Sequence, residues 1–255
     1  MINIAISCGD PAGVGPEIIA KSIFRYNPPD VVYTVHGALQ PFNNLAVKYR
    51  WGARFISAIE TGAVKFIEIP SPDILVCGKI DAKCGKIAAK AIFSAIKSAK
   101  NRNADAIVTA PISKNAMQIA GYNYPGHTEI FAEEFSTDVT MMLFARGFRV
   151  SLATTHIPIK NVAGEIGADM IYYHIERTHS ALVNWFGIDK PRIGVVALNP
   201  HAGEGGRIGE EENEIISAIE RACAEGIDTI GPIVPDVAFL PKMRRKIKCQ
   251  EKKRI

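Results

Sequence analysis

Cysteine is scarce in this 255-residue chain, and nothing in its placement builds a framework. The five cysteines, at positions 8, 77, 84, 223 and 249, form neither a CxxC pair nor the regular spacing of a disulfide scaffold, which points to a reducing, cytoplasmic setting. No apolar run approaches the ~20 residues that span a bilayer, so a membrane partner is not expected. The opening MINIAISCGD has no basic region and no small-residue cleavage pattern, and it does not read as a secretory signal. Internal repeats and low-complexity stretches are also missing. So are both common nucleotide fingerprints. CGDPAGVGPE (8–17) has no Gly-Lys-Ser/Thr, and GEGGRIG (203–209) puts Ile208 where G-x-G-x-x-G needs its last glycine.

A genuine excess of positive charge is missing too, despite a formal net charge of +4. Residues 242–255, KMRRKIKCQEKKRI, hold eight of the 30 Lys and Arg and one of the 26 Asp and Glu. The other 241 residues therefore carry 22 basic and 25 acidic groups and are mildly acidic. A short basic run of this composition reads as a solvated tail, and a nucleic-acid partner is not expected.

What is present is an alternation of strand and helix patterns. INIAISC, VVYTVHG, ADAIVTA and RIGVVAL are branched, apolar runs of strand length. PEIIAKSIFRY predicts a helix with Pro16 in its first position. DAKCGKIAAKAIFSAIKSAKNRN predicts a long amphipathic helix capped by Asp81. TEIFAEEF, ADMIYYHIERTHSALVNWF and EEENEIISAIERACAEG predict three more, the last stopped by Gly226. VTMMLFARGFRVSLATTH reads as two strands about a tight Arg146-Gly147 turn. The alternation implies an α/β fold with a mainly parallel, partly mixed sheet flanked by helices.

In such folds ligands gather beyond the carboxyl ends of strands. Four strand-to-loop stretches qualify. CGDPAGVGPE offers glycine-rich backbone at a helix start, suited to an anion or simply to a tight turn. In GYNYPGHTEIF (121–131), His127 and Thr128 stand at a helix N-terminus, where two donors meet free N–H groups; structurally, Thr128 could instead be the cap. His156 ends the strand of LATTHIP, and His201 follows RIGVVAL in LNPHAGEGG. Two strand-end imidazoles are a plausible pair of metal ligands, though no local signature joins them. His36, His174 and His179 read as structural. Glu210 to Glu212 read as the acidic start of a helix.

GDPAGVGPE, TAPISK, YPGHTE, TTH and LNPHAGEGG, in this order, resemble the 4-hydroxythreonine-4-phosphate dehydrogenase family, over about residues 1–241. The resemblance implies an isocitrate/isopropylmalate-dehydrogenase-like fold of two α/β lobes, 1–135 and 136–241, with 242–255 a basic non-family tail. It implies NAD and a divalent metal (zinc, magnesium or cobalt) as cofactors, and a homodimer with active sites at the subunit interface. His127 and Thr128 match the family's substrate-binding pair, and His156 and His201 match two of its metal ligands. The implied reaction oxidises 4-phosphohydroxy-L-threonine and decarboxylates it to 3-amino-2-oxopropyl phosphate, in pyridoxal 5'-phosphate (vitamin B6) biosynthesis. Alternatives are a 4-phospho-threonate or erythronate dehydrogenase of the same family, or a non-catalytic remnant. Family members continue beyond the point matched by residue 241, with a third metal-binding histidine and further substrate and NAD contacts. The expectation is therefore little dehydrogenase activity from this chain.

Overall fold

Branched residues buried on both faces make the first two strands the centre of a parallel sheet. β1 (Ile2–Ser7) and β2 (Val31–Gly37) run side by side, with Ala5, Val35 and His36 fully buried. The computed structural model describes residues 1–71, 75–145 and 148–247, and the chain divides into two compact units, Met1–Asp138 and Val139–Ile255.

In the first unit, α1 (Gly15–Arg25) links β1 to β2, and Pro16 sits in its first turn, one place later than the sequence suggests. The segment from 38 to 80, where the sequence pattern defines no element, contains α2 (Gln40–Lys48), α3 (Arg50–Glu60) and β3 (Lys65–Glu68). Phe42 explains its folding. It stacks on Phe55 at 4.8 Å and meets Phe66 edge-on at 5.7 Å, tying both helices to the sheet. Then come α4 (Ala82–Lys100), β4 (Ala106–Thr109), α5 (Lys114–Ile119) and α6 (His127–Phe135). The sheet order is β3-β2-β1-β4, all parallel.

The long helix starts as expected: Asp81 Oδ1 accepts from Lys83 N at 2.8 Å, and Lys97 and Lys100 suit the negative end of the dipole. Its alanines let it lie close to β1 and β2. Ala88, Ala89, Ile92 and Ile96 bury one stripe, while Ile87 and Ala91 bury a second against Ala38 and Ile69. Beneath it His36 Nδ1 pairs with Ser94 Oγ at 2.8 Å, and burial pulls the imidazole pKa down to about 4. This histidine is structural and neutral.

The second unit opens with β5 (Met142–Ala145) and β6 (Phe148–Ser151), an antiparallel pair as expected; the Arg146-Gly147 turn lies outside the described residues. It continues through α7 (Ile159–Glu165), α8 (Ala168–Asn184), β7 (Ile193–Val196), a 3-10 turn (Pro200–Gly205), α9 (Glu212–Ala224), β8 (Thr229–Ile233), α10 (Pro235–Ala238) and α11 (Pro241–Ile247). β7 and β8 pair in parallel, separately from β5 and β6. Ile171 and Ile175 of α8 pack with Ile215 and Ile219 of α9, and α9 ends where Gly226 takes φ +84° and donates to Cys223 O at 3.0 Å. Most of the 242–255 run lies outside the described residues.

Candidate active site

The start of α6 is uncapped. Gly126 occupies the cap position, and no side chain bonds the first N–H groups, so Thr128 is the second residue of the helix and not its cap. His127 stacks on Phe131, one turn on, at 6.4 Å between centroids. Its Nε2 is buried and has no hydrogen-bond partner among the described residues. Burial lowers its pKa, because a charged ring there loses hydration. A buried, unpartnered ring nitrogen beside bare helix N–H groups and the half-buried Thr128 is a preformed set of donors and acceptors for an anion.

In the second unit His156 and His201 are both exposed, and both adopt left-handed backbone, at φ +59° and +54°. Few non-glycine residues do so, and such strain collects at functional sites. No hydrogen bond to a described residue engages either imidazole. His201 begins a run of six residues, His201 to Gly206, every one with positive φ. Each non-glycine residue there costs roughly 1–2 kcal/mol, so the turn needs outside support.

That support comes from the first turn of α9. Glu212 is only 5% exposed. Its carboxylate accepts from Asn199 N at 2.7 Å and from Asn199 Nδ2 at 2.9 Å, and Glu211 accepts from the same Nδ2 at 2.8 Å. The loop is thereby tied to itself, from the residue before Pro200 to the residues that open α9. Gly203 completes the arrangement, since it takes φ +74° and a Cβ there would lie 2.7 Å from Glu212 Oε2. The acidic trio thus does more than begin a helix: two of its carboxylates hold the His201 turn.

The first glycine-rich stretch behaves as a tight turn. Asp10, itself buried, accepts from Ala12 N at 2.9 Å through its side chain and from Gly13 N at 3.0 Å through its carbonyl. His174 is structural, pairing with Thr140 Oγ1 at 2.9 Å.

The model of the family described as "Pyridoxal phosphate biosynthetic protein PdxA" matches residues 31–250. The chain belongs to the PdxA family. It is 36% identical over 243 residues to a 4-hydroxythreonine-4-phosphate dehydrogenase of Chromobacterium violaceum, across 93% of this chain and 74% of that enzyme. It is equally similar, 36% over 250 residues, to a D-threonate 4-phosphate dehydrogenase of Salmonella typhimurium, across 93% of this chain and 76% of the relative. The structure of a Klebsiella pneumoniae 4-hydroxythreonine-4-phosphate dehydrogenase superposes with a TM-score of 0.82 at 30% identity, over 97% of this chain and 79% of the other. These PdxA structures carry the isocitrate/isopropylmalate-dehydrogenase-like α/β fold, and this chain shares it.

Against the PdxA background, the positions read from the sequence divide between the units: His127 and Thr128 in the first, His156 and His201 in the second. Among the described residues no group of three or more His, Cys, Asp or Glu is assembled that could hold a metal ion. The sequence reading missed Asn199 and the latching role of Glu211 and Glu212. A signal for Glu212 was available. It lies on the buried stripe of α9 with Ile215, Ala218, Ile219 and Ala222, where a charged residue needs a partner.

Proposed function

We propose that the chain serves the oxidation of 4-phosphohydroxy-L-threonine and its decarboxylation to 3-amino-2-oxopropyl phosphate, in pyridoxal 5'-phosphate biosynthesis, with NAD and a divalent cation. The reading includes a cytoplasmic homodimer with active sites at the subunit interface. The observation that carries it, beside PdxA membership, is the pair of exposed loop histidines, His156 and His201, each on strained left-handed backbone five residues beyond the end of its strand, so that His156 does not itself end β6. Two unengaged imidazoles fit one side of an open site for zinc, magnesium or cobalt, with the other positions left to water, substrate or a further protein ligand. When bound, such a cation supplies Lewis acidity and NAD a hydride acceptor.

The chain's own contribution is to bind and orient. Asn199, Glu211 and Glu212 hold the turn that presents His201. His127 and Thr128 receive the anionic end of the substrate at the bare start of α6. A phosphate there favours the protonated ring, opposing the burial that lowers the His127 pKa. Anion binding should therefore strengthen as pH falls toward and below the ordinary imidazole value. Orientation of this kind is worth about 7–11 kcal/mol in well-aligned reactions.

A second reading rests on the Salmonella typhimurium relative, named for D-threonate 4-phosphate, which is no less similar. That substrate, like an erythronate, lacks the amine. Isothermal titration of the purified chain with zinc or cobalt should show one site that His156→Ala and His201→Ala each abolish; unchanged affinity in both variants overturns the metal assignment. NADH formation with each phosphorylated acid separates the two substrates. Failure with both, in a chain that still binds metal, marks a non-catalytic member.

A further inference from the structure

The outward sides of α1 and α3 carry rings and cations in alternation. Along α1, Lys21, Phe24 and Arg25 lie three and four residues apart and share one side, while Ile19, Ala20 and Ile23 are buried on the other. Along α3, Trp51 and Arg54 are spaced in the same way. The two rows meet. Lys21 Nζ lies 5.1 Å from the centre of the Trp51 ring, and Arg54 Cζ lies 5.2 Å from that of Phe24. Tyr49, the one residue between α2 and α3, stacks on Trp51 at 4.9 Å with 12° between the planes. Lys48 precedes it and Arg50 follows it, both exposed.

Two properties set this face apart. Its rings are open to solvent: Phe24 is 46% exposed and Tyr49 48%, whereas Phe42 and Phe55 of the same helices are buried. Its charge also runs against that of the body, which carries 22 basic and 25 acidic groups outside 242–255. Glu17, one turn before Lys21, pairs with it. Among the described residues no carboxylate pairs with Arg25, Lys48, Arg50 or Arg54. The net balance hides this cluster, because its cations are spread along three helices and are offset elsewhere in the chain.

We propose that this face binds single-stranded RNA, with phosphates on the arginines and lysines and bases stacked on Tyr49 and Phe24. An unpaired polynucleotide presents a charged backbone and flat bases side by side, and a face that alternates cations with open rings answers both. The parallel Tyr49–Trp51 stack is already the geometry to which a further flat ring adds. A duplex answers only the charge, because its bases are stacked on one another. An anionic membrane would meet the cations, but it brings nothing flat to lie on the rings. In the cytoplasmic setting proposed above the unpaired polynucleotide is RNA. The inference is otherwise independent of the dehydrogenase reading, since it uses none of the residues assigned there.

The test titrates a fluorescent oligouridylate of about twelve nucleotides with the full chain and reads its anisotropy. Affinity should fall as salt rises. Arg25→Gln combined with Arg50→Gln should flatten the slope of log affinity against log salt by about 1.4, at about 0.7 for each phosphate contact removed. Tyr49→Ala should weaken binding at least about fivefold, the loss of one stacked base, with the helical circular dichroism retained. The same variant should not weaken binding of an RNA duplex. Lys90→Gln, on the exposed side of α4, should change neither affinity nor slope. Binding that is equal in all the variants places the RNA on the basic run 242–255 and overturns the proposal. No binding of the oligouridylate overturns it too, and sedimentation of the same chain with phosphatidylglycerol vesicles would then make a membrane the partner.

Discussion

In the first unit four parallel strands share one sheet, and α4 packs Ala88, Ala89, Ile92 and Ile96 with at most 1% exposure. In the second unit the described strands form two pairs, and residues of β6 and β7 line an apolar space of about 490 Å3. The residue types hardly differ, since Ile193, Val195 and Val196 of β7 resemble Val31, Val32 and Val35 of β2. What differs is whether each strand has a neighbour on both sides. β2 lies between β1 and β3 and buries Tyr33, Val35 and His36; among the described residues β7 pairs only with β8, and it leaves Val196 36% exposed. A branched strand is a statement about its neighbours as much as about itself. The candidate metal-binding loops belong to the more open unit, which suits the rule that binding loops come from regions of lower local stability.

The comparison can be broken by core truncation. Ile92→Ala, in the closed core, should cost about 3–5 kcal/mol, whereas Ile175→Ala, beside the existing cavity, should fall near 2 kcal/mol. Urea unfolding followed by local hydrogen exchange in each unit reads the difference, and equal costs would mean that the cavity does not loosen its surroundings. The latch comes next. Glu212→Ala strands Asn199 N without its acceptor and should cost about 1–3 kcal/mol, while Glu212→Gln keeps an acceptor and should cost less. NMR of the Asn199 and His201 amides checks both variants, and the turn is independent of the latch if neither amide shifts.

Acid should separate the units more mildly. His36 resists protonation when folded, with a pKa of about 4 against 6.5 in the unfolded chain. Unfolded chains therefore bind a proton that folded ones refuse, and stability falls as pH drops from about 6.5 toward 4, by up to about tenfold in the folding equilibrium per pH unit. His36→Gln should flatten that part of the pH profile for the β1 and β2 amides; a slope that survives unchanged assigns the effect elsewhere. The smallest change expected is at the start of α4. Asp81→Ala should cost about 1 kcal/mol, the ordinary worth of a side-chain cap, measured by thermal unfolding.

Much of this was legible locally. β2 spans the residues its branched pattern marks out, Asp81 caps α4, and Gly226 stops α9. Four of the five motifs that suggested the family, all but GDPAGVGPE, lie within the residues of the PdxA match. The segment 38–80 was not legible, because the cluster that folds it joins Phe42, Phe55 and Phe66 across three elements. Glu212 opens α9 as its pattern suggests, but its second role was not legible, for a related reason. Its position in a first turn suited the helix dipole, and its acceptor role needs Asn199, 13 residues earlier, folded back over it.

The sequence alone determined the order of most strands and helices outside 38–80, the Asp81 cap and the family, because those follow from local spacing and from motifs in order. Only the tertiary structure decided that Glu211 and Glu212 hold a left-handed turn at His201, that His127 Nε2 is buried without a partner among the described residues, and that residues of β6 and β7 line one cavity. Each of these depends on which distant backbone or side chain arrives beside a given group. Spacing along the chain carries the period of a strand or helix, but not the identity of its neighbour.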